Sequence, residues 1–227
     1  MARSKRLQQV LESAARLQKL VPDAVLVGGS AAALHAGHRE SFDHDHVLVD
    51  LDQRYAQVLE AVEASDGWAT SVRASRPPMT IMGSLDGVPA GLRNLRRTRP
   101  LETMPFVIAP DVTVVAPTLD EMLRVKAYLV VQRNVVRDYL DVVALADHMG
   151  PAHAAEVLRG IDDYYDDRSA AKGSVRTSLV LALAAPGPLD IDVIRELPRY
   201  RGLDPKWHDW SSVVAACEAL ALEVAES

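Results

Sequence analysis

Two carboxylates, Asp43 and Asp45, stand two residues apart, and a Gly28-Gly29-Ser30 turn precedes them. On a strand that spacing puts both carboxylates on one face. Carboxylates so paired can hold one or two Mg²⁺ ions about 4 Å apart, the arrangement of phosphoryl and nucleotidyl transfer. The two glycines let the backbone turn tightly and approach a ligand. A helix beginning there aims free N–H groups at an anion, typically a phosphate. Either half alone is common, since Asp-x-Asp is often only a polar strand end; the combination is more specific.

A second set is Lys126, Arg133, Arg137 and Asp141. On one continuous helix these side chains form a stripe within about 80° of arc, beside an apolar face. Such a stripe suits the wall of a cleft. It also suits a plain exposed face with an Arg137–Asp141 pair at i, i+4, and Asn134 is a point where the segment can break into two helices. Arg93, Arg96, Arg97 and Arg99 crowd together and read either as contacts to RNA backbone or triphosphate, or as a solvated basic loop.

Other chemistry-bearing residues read more plainly. His44 and His46 alternate with the two Asp residues, so they belong on the opposite strand face, for packing or hydrogen bonding. Asp162, Asp163, Asp166 and Asp167 read as a solvated acidic helix end. Trp207 and Trp210 read as locks for the last helix, and Cys217 as a buried small hydrophobe.

The elements that must position these groups follow from periodicity. Residues 4–20 carry apolar positions at helical spacing. A short apolar run, 24–27, leads into Gly-Gly-Ser and a helix over 31–35. A strand is expected over 41–51 and a helix over 54–64. Short strands follow at 68–72, 79–82 and 88–92; the segments 106–109 and 112–115 are strands or a loop crossing. From Thr118 the pattern is helical, with Glu121 at capping-box spacing and later helices near 152–163, 169–184 and 209–225. The expected fold is α+β with α/β character: a mixed sheet flanked by helices over 1–117, then a helical half, 118–227, completing a cleft.

Composition adds bounds. The 227 residues are 48% hydrophobic and 25% charged, with one cysteine and a formal net charge of −6. An intrachain disulfide is impossible, which favours a reducing, cytoplasmic setting. No apolar run approaches the length of a membrane span, and the N-terminus lacks a signal-peptide core. The acidic balance argues against a general nucleic-acid coat, but not against a local basic patch made by residues 93–99 with Lys126, Arg133 and Arg137.

The segments Val27-Gly28-Gly29-Ser30, Arg39-Glu40-Ser41-Phe42-Asp43-His44-Asp45 and Lys126…Arg133…Arg137-Asp138-Tyr139-Leu140-Asp141 resemble the AbiEii/AbiGii-type nucleotidyltransferase toxins. These include the mycobacterial MenT toxins and belong to the polymerase-beta-like nucleotidyltransferase superfamily. The resemblance spans about residues 22–150. It implies a nucleotidyltransferase core and transfer of a nucleoside monophosphate from an NTP, with release of pyrophosphate, to an RNA acceptor such as the tRNA 3′ end. The setting it implies is a type IV toxin–antitoxin system with a cognate antitoxin encoded nearby.

Carried over by motif, Asp43 and Asp45 bind Mg²⁺, with Mn²⁺ as the alternative. Gly28, Gly29, Ser30, Ser41, Lys126 and Arg137 bind the nucleotide. Asp141 is a catalytic carboxylate, along with Asp43, Asp45 and Lys126 in the catalytic set. From their charge rather than from the motif, Arg93, Arg96, Arg97, Arg99 and Arg133 are the expected RNA contacts. The resemblance also makes Ser41 a site for regulatory phosphorylation, whose charge would repel an NTP. One departure stands out: the superfamily's third strand carboxylate has no counterpart at Gly87-Val88-Pro89-Ala90-Gly91-Leu92. Two other readings are transfer to a protein or small-molecule hydroxyl, and a non-catalytic, antitoxin-like binding module of the same fold.

Overall fold

A computed structural model describes residues 4–166 and 173–226. The expected helix start near 169, and Asp167, lie outside the described residues. The chain divides into two compact units: Met1–Arg96 with Pro100–Thr118, and Arg97–Arg99 with Leu119–Ser227.

The first unit opens with α1 (Lys5–Leu20), whose N-terminus is capped by Ser4 Oγ accepting from the Leu7 N–H. Its buried positions recur at helical spacing, among them Leu7, Val10, Leu11, Ala14 and Leu17. Strand β1 (Val25–Val27) runs without a loop into α2 (Gly28–Ala36), which Gly37 ends at φ 60. Then come β2 (His44–Leu48), α3 (Leu51–Glu63), β3 (Trp68–Thr70), β4 (Thr80–Leu85) and β5 (Val88–Asn94). The five strands form one sheet in the order β1-β2-β5-β4-β3. The β2–β5 pair is parallel and the other pairs are antiparallel, so the sheet is mixed, as expected. Leu17 of α1, Leu51, Val58 and Val62 of α3, and Leu48, Ile81 and Leu92 of the sheet share one core.

Strand β2 is shorter than the expected 41–51, because the chain leaves the sheet after Leu48 and Leu51 is buried as the first residue of α3. The expected start of that helix, Arg54, coincides with a kink (φ −109, ψ 16). There Arg54 pairs with Asp50 and Asp23. The two segments left open between strand and crossing form a separate hairpin, β6 (Thr103–Ala109) and β7 (Val112–Pro117), turning at Asp111 with φ 59. Gln18 bonds both backbone groups of Val115 at 2.8 Å, which fastens α1 to β7.

The second unit is helical: α4 (Leu119–Arg133), α5 (Val136–Met149), α6 (Pro151–Arg159), α7 (Val175–Ala184) and α8 (Trp210–Ala225), with short 3-10 turns between. Lys126 and Asp141 lie on two helices rather than one, because Asn134 takes a left-handed conformation (φ 49) and ends α4. Of the acidic cluster, Asp162 is a remote cap: its carboxylate accepts from the Val175 and Arg176 N–H groups at the start of α7 and from Ser174 Oγ. Trp207 is buried, and Trp210 meets the Tyr139 ring edge-on at 5.9 Å. Cys217 is buried in α8, where burial pushes its thiol up to about 12.

Candidate active site

The geometry centres on Asp45. It lies on β2 between Val27 of β1 and Gly91 of β5, its partners in register on the two sides. Burial alternates along β2: His44, His46 and Leu48 face the interior, and Asp45 faces the other way, half-buried. Asp43 lies just before the strand and is exposed, with its Oδ1 accepting from Ser41 Oγ at 3.1 Å. Ser41 itself is buried. Within β2 the expected alternation of Asp45 with His44 and His46 is the one observed, whereas Asp43, expected on the same strand face as Asp45, lies outside the strand.

Three glycines lie around this carboxylate and the turn beside it, and each is glycine for its own reason: positive φ at Gly28, and close neighbours at Gly29 and Gly91. A Cβ on Gly28, which stands at φ +77 where α2 begins, would lie 3.5 Å from Asp45 Oδ2. A Cβ on Gly91 would overlap Asp45 Oδ1 and sit 3.0 Å from the Met82 sulfur. A Cβ on Gly29 would lie 2.6 Å from an Arg39 guanidinium nitrogen and 3.0 Å from Ser41 Oγ. Arg39 is buried, so a cation lies directly behind the turn. The first N–H groups of α2 have no partners within the helix, and the Val27 N-cap supplies no side-chain bond.

Ser30, expected to contact the triphosphate, is the third residue of α2. It is 1% exposed, and its Oγ makes no hydrogen bond within the protein. What it can offer an anion is its backbone N–H. Arg93, read in the sequence either as a contact to RNA backbone or triphosphate or as part of a solvated loop, lies on β5 beside Asp45. Its Nε donates to Asp45 Oδ1 at 3.3 Å. The signal was present in the sequence: Gly91 and Arg93 are two apart on a strand, so they share a face. Finding that face required knowing that β5 pairs with β2.

Beneath the strand, His44 Nε2 lies 3.0 Å from Ser13 Oγ, and the His46 ring meets His44 edge-on at 5.3 Å. Both ring nitrogens of His46 are buried without a hydrogen-bond partner. Burial lowers His44 to about 4 and holds His46 well below its ordinary value, with the neighbouring His44 adding to the effect. Both are neutral packing groups near neutral pH.

The cations expected to serve phosphate or RNA are mostly matched by acids. In the second unit, Lys126 Nζ lies 2.7 Å from Asp141 Oδ2, with side chains 3% and 0% exposed. Arg133 makes a two-pronged pair with the buried Asp138, at 3.0 and 2.6 Å. The expected Arg137–Asp141 alternative is therefore not the pairing seen, and Arg137 is exposed. Arg97 does not form part of an RNA surface: its side chain is 2% exposed and ion-paired with Glu121, which also pairs with Arg124 at 3.2 Å. Arg99 and Arg124 each place a guanidinium 3.8 Å from the centre of the Tyr164 ring. Arg96 and Arg99 remain exposed.

Whether Asp43 and Asp45 suit a metal can be judged from the donors. Magnesium characteristically takes one or two carboxylates and completes its shell with water and substrate phosphates. Two carboxylates beside a glycine turn fit that pattern. Among the described residues no group of three or more His, Cys, Asp or Glu could hold a metal ion, so an all-protein cage is not what this site offers.

Comparison with solved structures decides the fold. The Helicobacter pylori protein JHP933 superposes with a TM-score of 0.53 at 16% identity, over 99% of this chain and 94% of that one. A candidate nucleotidyltransferase of the same organism gives 0.52 at 14% identity, over 98% and 96%. The fold is nucleotidyltransferase-like.

No protein-family profile matches the chain. In sequence it is similar to the heme uptake protein MmpL11 of Mycobacterium tuberculosis, 29% identical over 97% of this chain and 23% of that one. It is also similar to the mycolic acid-containing lipids exporter MmpL11 of Mycolicibacterium smegmatis, 33% identical over 58% of this chain and 13% of that one. The chain thus spans about a quarter of the length of the M. tuberculosis relative. Among its described residues no helix is long and apolar enough to cross a membrane.

Proposed function

We propose that the chain is a nucleotidyltransferase that moves a nucleoside monophosphate from an NTP to a hydroxyl. The observation that carries this reading is the position of Asp45. It stands beside Gly91 and Gly28 on a nucleotidyltransferase-like sheet, with Asp43 just before the strand and the open N-terminus of α2 beside it. Asp43 and Asp45 hold the divalent ion, Mg²⁺ or Mn²⁺, together with the triphosphate. When bound, that ion neutralises phosphate charge and lowers the pKa of a coordinated hydroxyl.

The chain's own groups do the rest. Ser41 Oγ holds Asp43 in orientation, and Gly91 leaves room for Asp45 to stand upright. The backbone N–H groups at Gly28, Gly29 and Ser30 receive phosphate oxygens, and the buried Arg39 supports that turn with positive charge. The acceptor oxygen bonds to the α-phosphorus as the bond to the β-phosphate oxygen breaks, and pyrophosphate leaves with loss of the acceptor's proton.

For the acceptor we propose RNA, the tRNA 3′ end, with the chain acting as the toxin of a type IV pair restrained by a cognate antitoxin. Support comes from the AbiEii/MenT-like series of motifs and from the exposed Arg96 and Arg99. A second reading, a protein or small-molecule hydroxyl as acceptor, draws on the pairing of Arg97, Arg133 and Lys126 with acids, which leaves fewer cations for a polynucleotide. Incubation with each α-labelled NTP, Mg²⁺ and either total RNA or RNase-treated extract separates them. Label at RNA 3′ ends is expected; label only in protein or small molecules rejects the RNA acceptor.

A further inference from the structure

The strand beside the two carboxylates carries a cation. Strands β2 and β5 run parallel with Asp45 opposite Gly91 and Val47 opposite Arg93. Gly91 and Arg93 therefore share the face of Asp45, and Arg93 Nε reaches Asp45 Oδ1 at 3.3 Å. Position 91 carries no acid, and a Cβ there would overlap Asp45 Oδ1, so a side chain at 91 would require the Asp45 carboxylate to shift. Two divalent ions about 4 Å apart need carboxylate oxygens to bridge and flank them. Here the flank is a guanidinium, and no third acidic ligand joins Asp43 and Asp45 among the described residues.

Resting on the nucleotidyltransferase reading, we propose that Arg93 is a nucleotide-contacting residue that takes the place of a second metal ion. The site holds one divalent cation per nucleotide, and Arg93 supplies the remaining positive charge to a phosphate oxygen. Before nucleotide arrives, the guanidinium rests on Asp45 and competes with the ion for that carboxylate. Its side chain is 43% exposed, so it is free to exchange one anionic partner for another. A planar guanidinium can grip a phosphate through two N–H groups.

The proposal makes two effects of Arg93 opposite in sign, which a merely structural role would not do. Binding of Mn²⁺ is measured by electron paramagnetic resonance, with and without the four α,β-methylene NTP analogues, for wild type, Arg93→Ala and Arg93→Lys. Wild type should bind one Mn²⁺ per bound nucleotide. Arg93→Ala should weaken nucleotide binding about tenfold or more, the worth of a charge-assisted contact. It should also tighten Mn²⁺ binding to the nucleotide-free chain, and Arg93→Lys should restore part of the nucleotide affinity. Two Mn²⁺ per bound nucleotide in wild type, or an unchanged nucleotide affinity in a folded Arg93→Ala chain, overturns the role of Arg93 and leaves the nucleotidyltransferase reading standing. Failure of wild type to bind any of the four analogues overturns both.

Discussion

Gly91 has no side chain where Asp45 stands, and that single exclusion explains much of the site. An added methyl would overlap Asp45 Oδ1 and force the carboxylate to shift. Displacing a reacting group by about 1 Å can cost a hundredfold in rate. Gly91→Ala should therefore lower nucleotidyl transfer by about a hundredfold in a chain that keeps its circular dichroism spectrum; activity near wild type would remove the steric argument. Ser41→Ala frees Asp43 from its 3.1 Å contact and should weaken Mn²⁺ binding severalfold by calorimetry, whereas an unchanged affinity would deny Ser41 an orienting role. At this scale Asp45 was legible because strand alternation is local, and the buried His44 and His46 came with it. Arg93 was not, since its partner lies 48 residues away across a strand pairing that no local pattern announces.

Among the elements, two junctions set where the charges go. Asn134 divides α4 from α5, so the polar stripe read as one helical face becomes two helices whose charges meet in pairs. The sequence contained both outcomes, and a left-handed asparagine chose between them. Lys126 and Asp141 then neutralise each other in the interior of the helical unit. Removing Lys126 takes from the buried Asp141 its cation at 2.7 Å, and breaking a buried pair in this way typically costs about 3 to 5 kcal/mol. Lys126→Ala should show that loss in urea unfolding, and the double change Lys126→Met with Asp141→Leu should recover most of it. A single variant as stable as wild type would show that the pair is not buried as described. The strand and helix types were mostly readable from period; the hairpin of β6 and β7 was not, since its short apolar runs suit either strand or loop.

For the whole molecule, the net charge of −6 conceals how its cations are disposed. The basic run at 93–99 divides among an ion pair with Asp45, a buried pair with Glu121 and the exposed Arg96 and Arg99. Sequence alone reads that run as one patch because burial is a property of the packed chain. The fold as a whole also carries a pH dependence. Unfolded, His44 and His46 take up protons near pH 6.5; folded, burial holds them neutral to about 4 for His44 and to well below the ordinary value for His46. A lowered folded-state value means the unfolded chain binds protons first, so stability falls as pH drops below 6.5. The loss is about 1.4 kcal/mol per pH unit for each histidine. Urea unfolding at pH 7.5 and pH 5 should register it; equal stabilities would place these rings in contact with water.

The central claim is that Asp43 and Asp45 together carry metal-dependent nucleotidyl transfer. The most direct measurement is pyrophosphate release from each NTP, in the presence of total RNA, by wild type and by folded Asp43→Ala and Asp45→Asn chains, with Mg²⁺ and with EDTA. Release by wild type with at least one NTP, abolished by EDTA and by either substitution, is the predicted result. Release that survives in both variants, or none from wild type with any NTP, would contradict it.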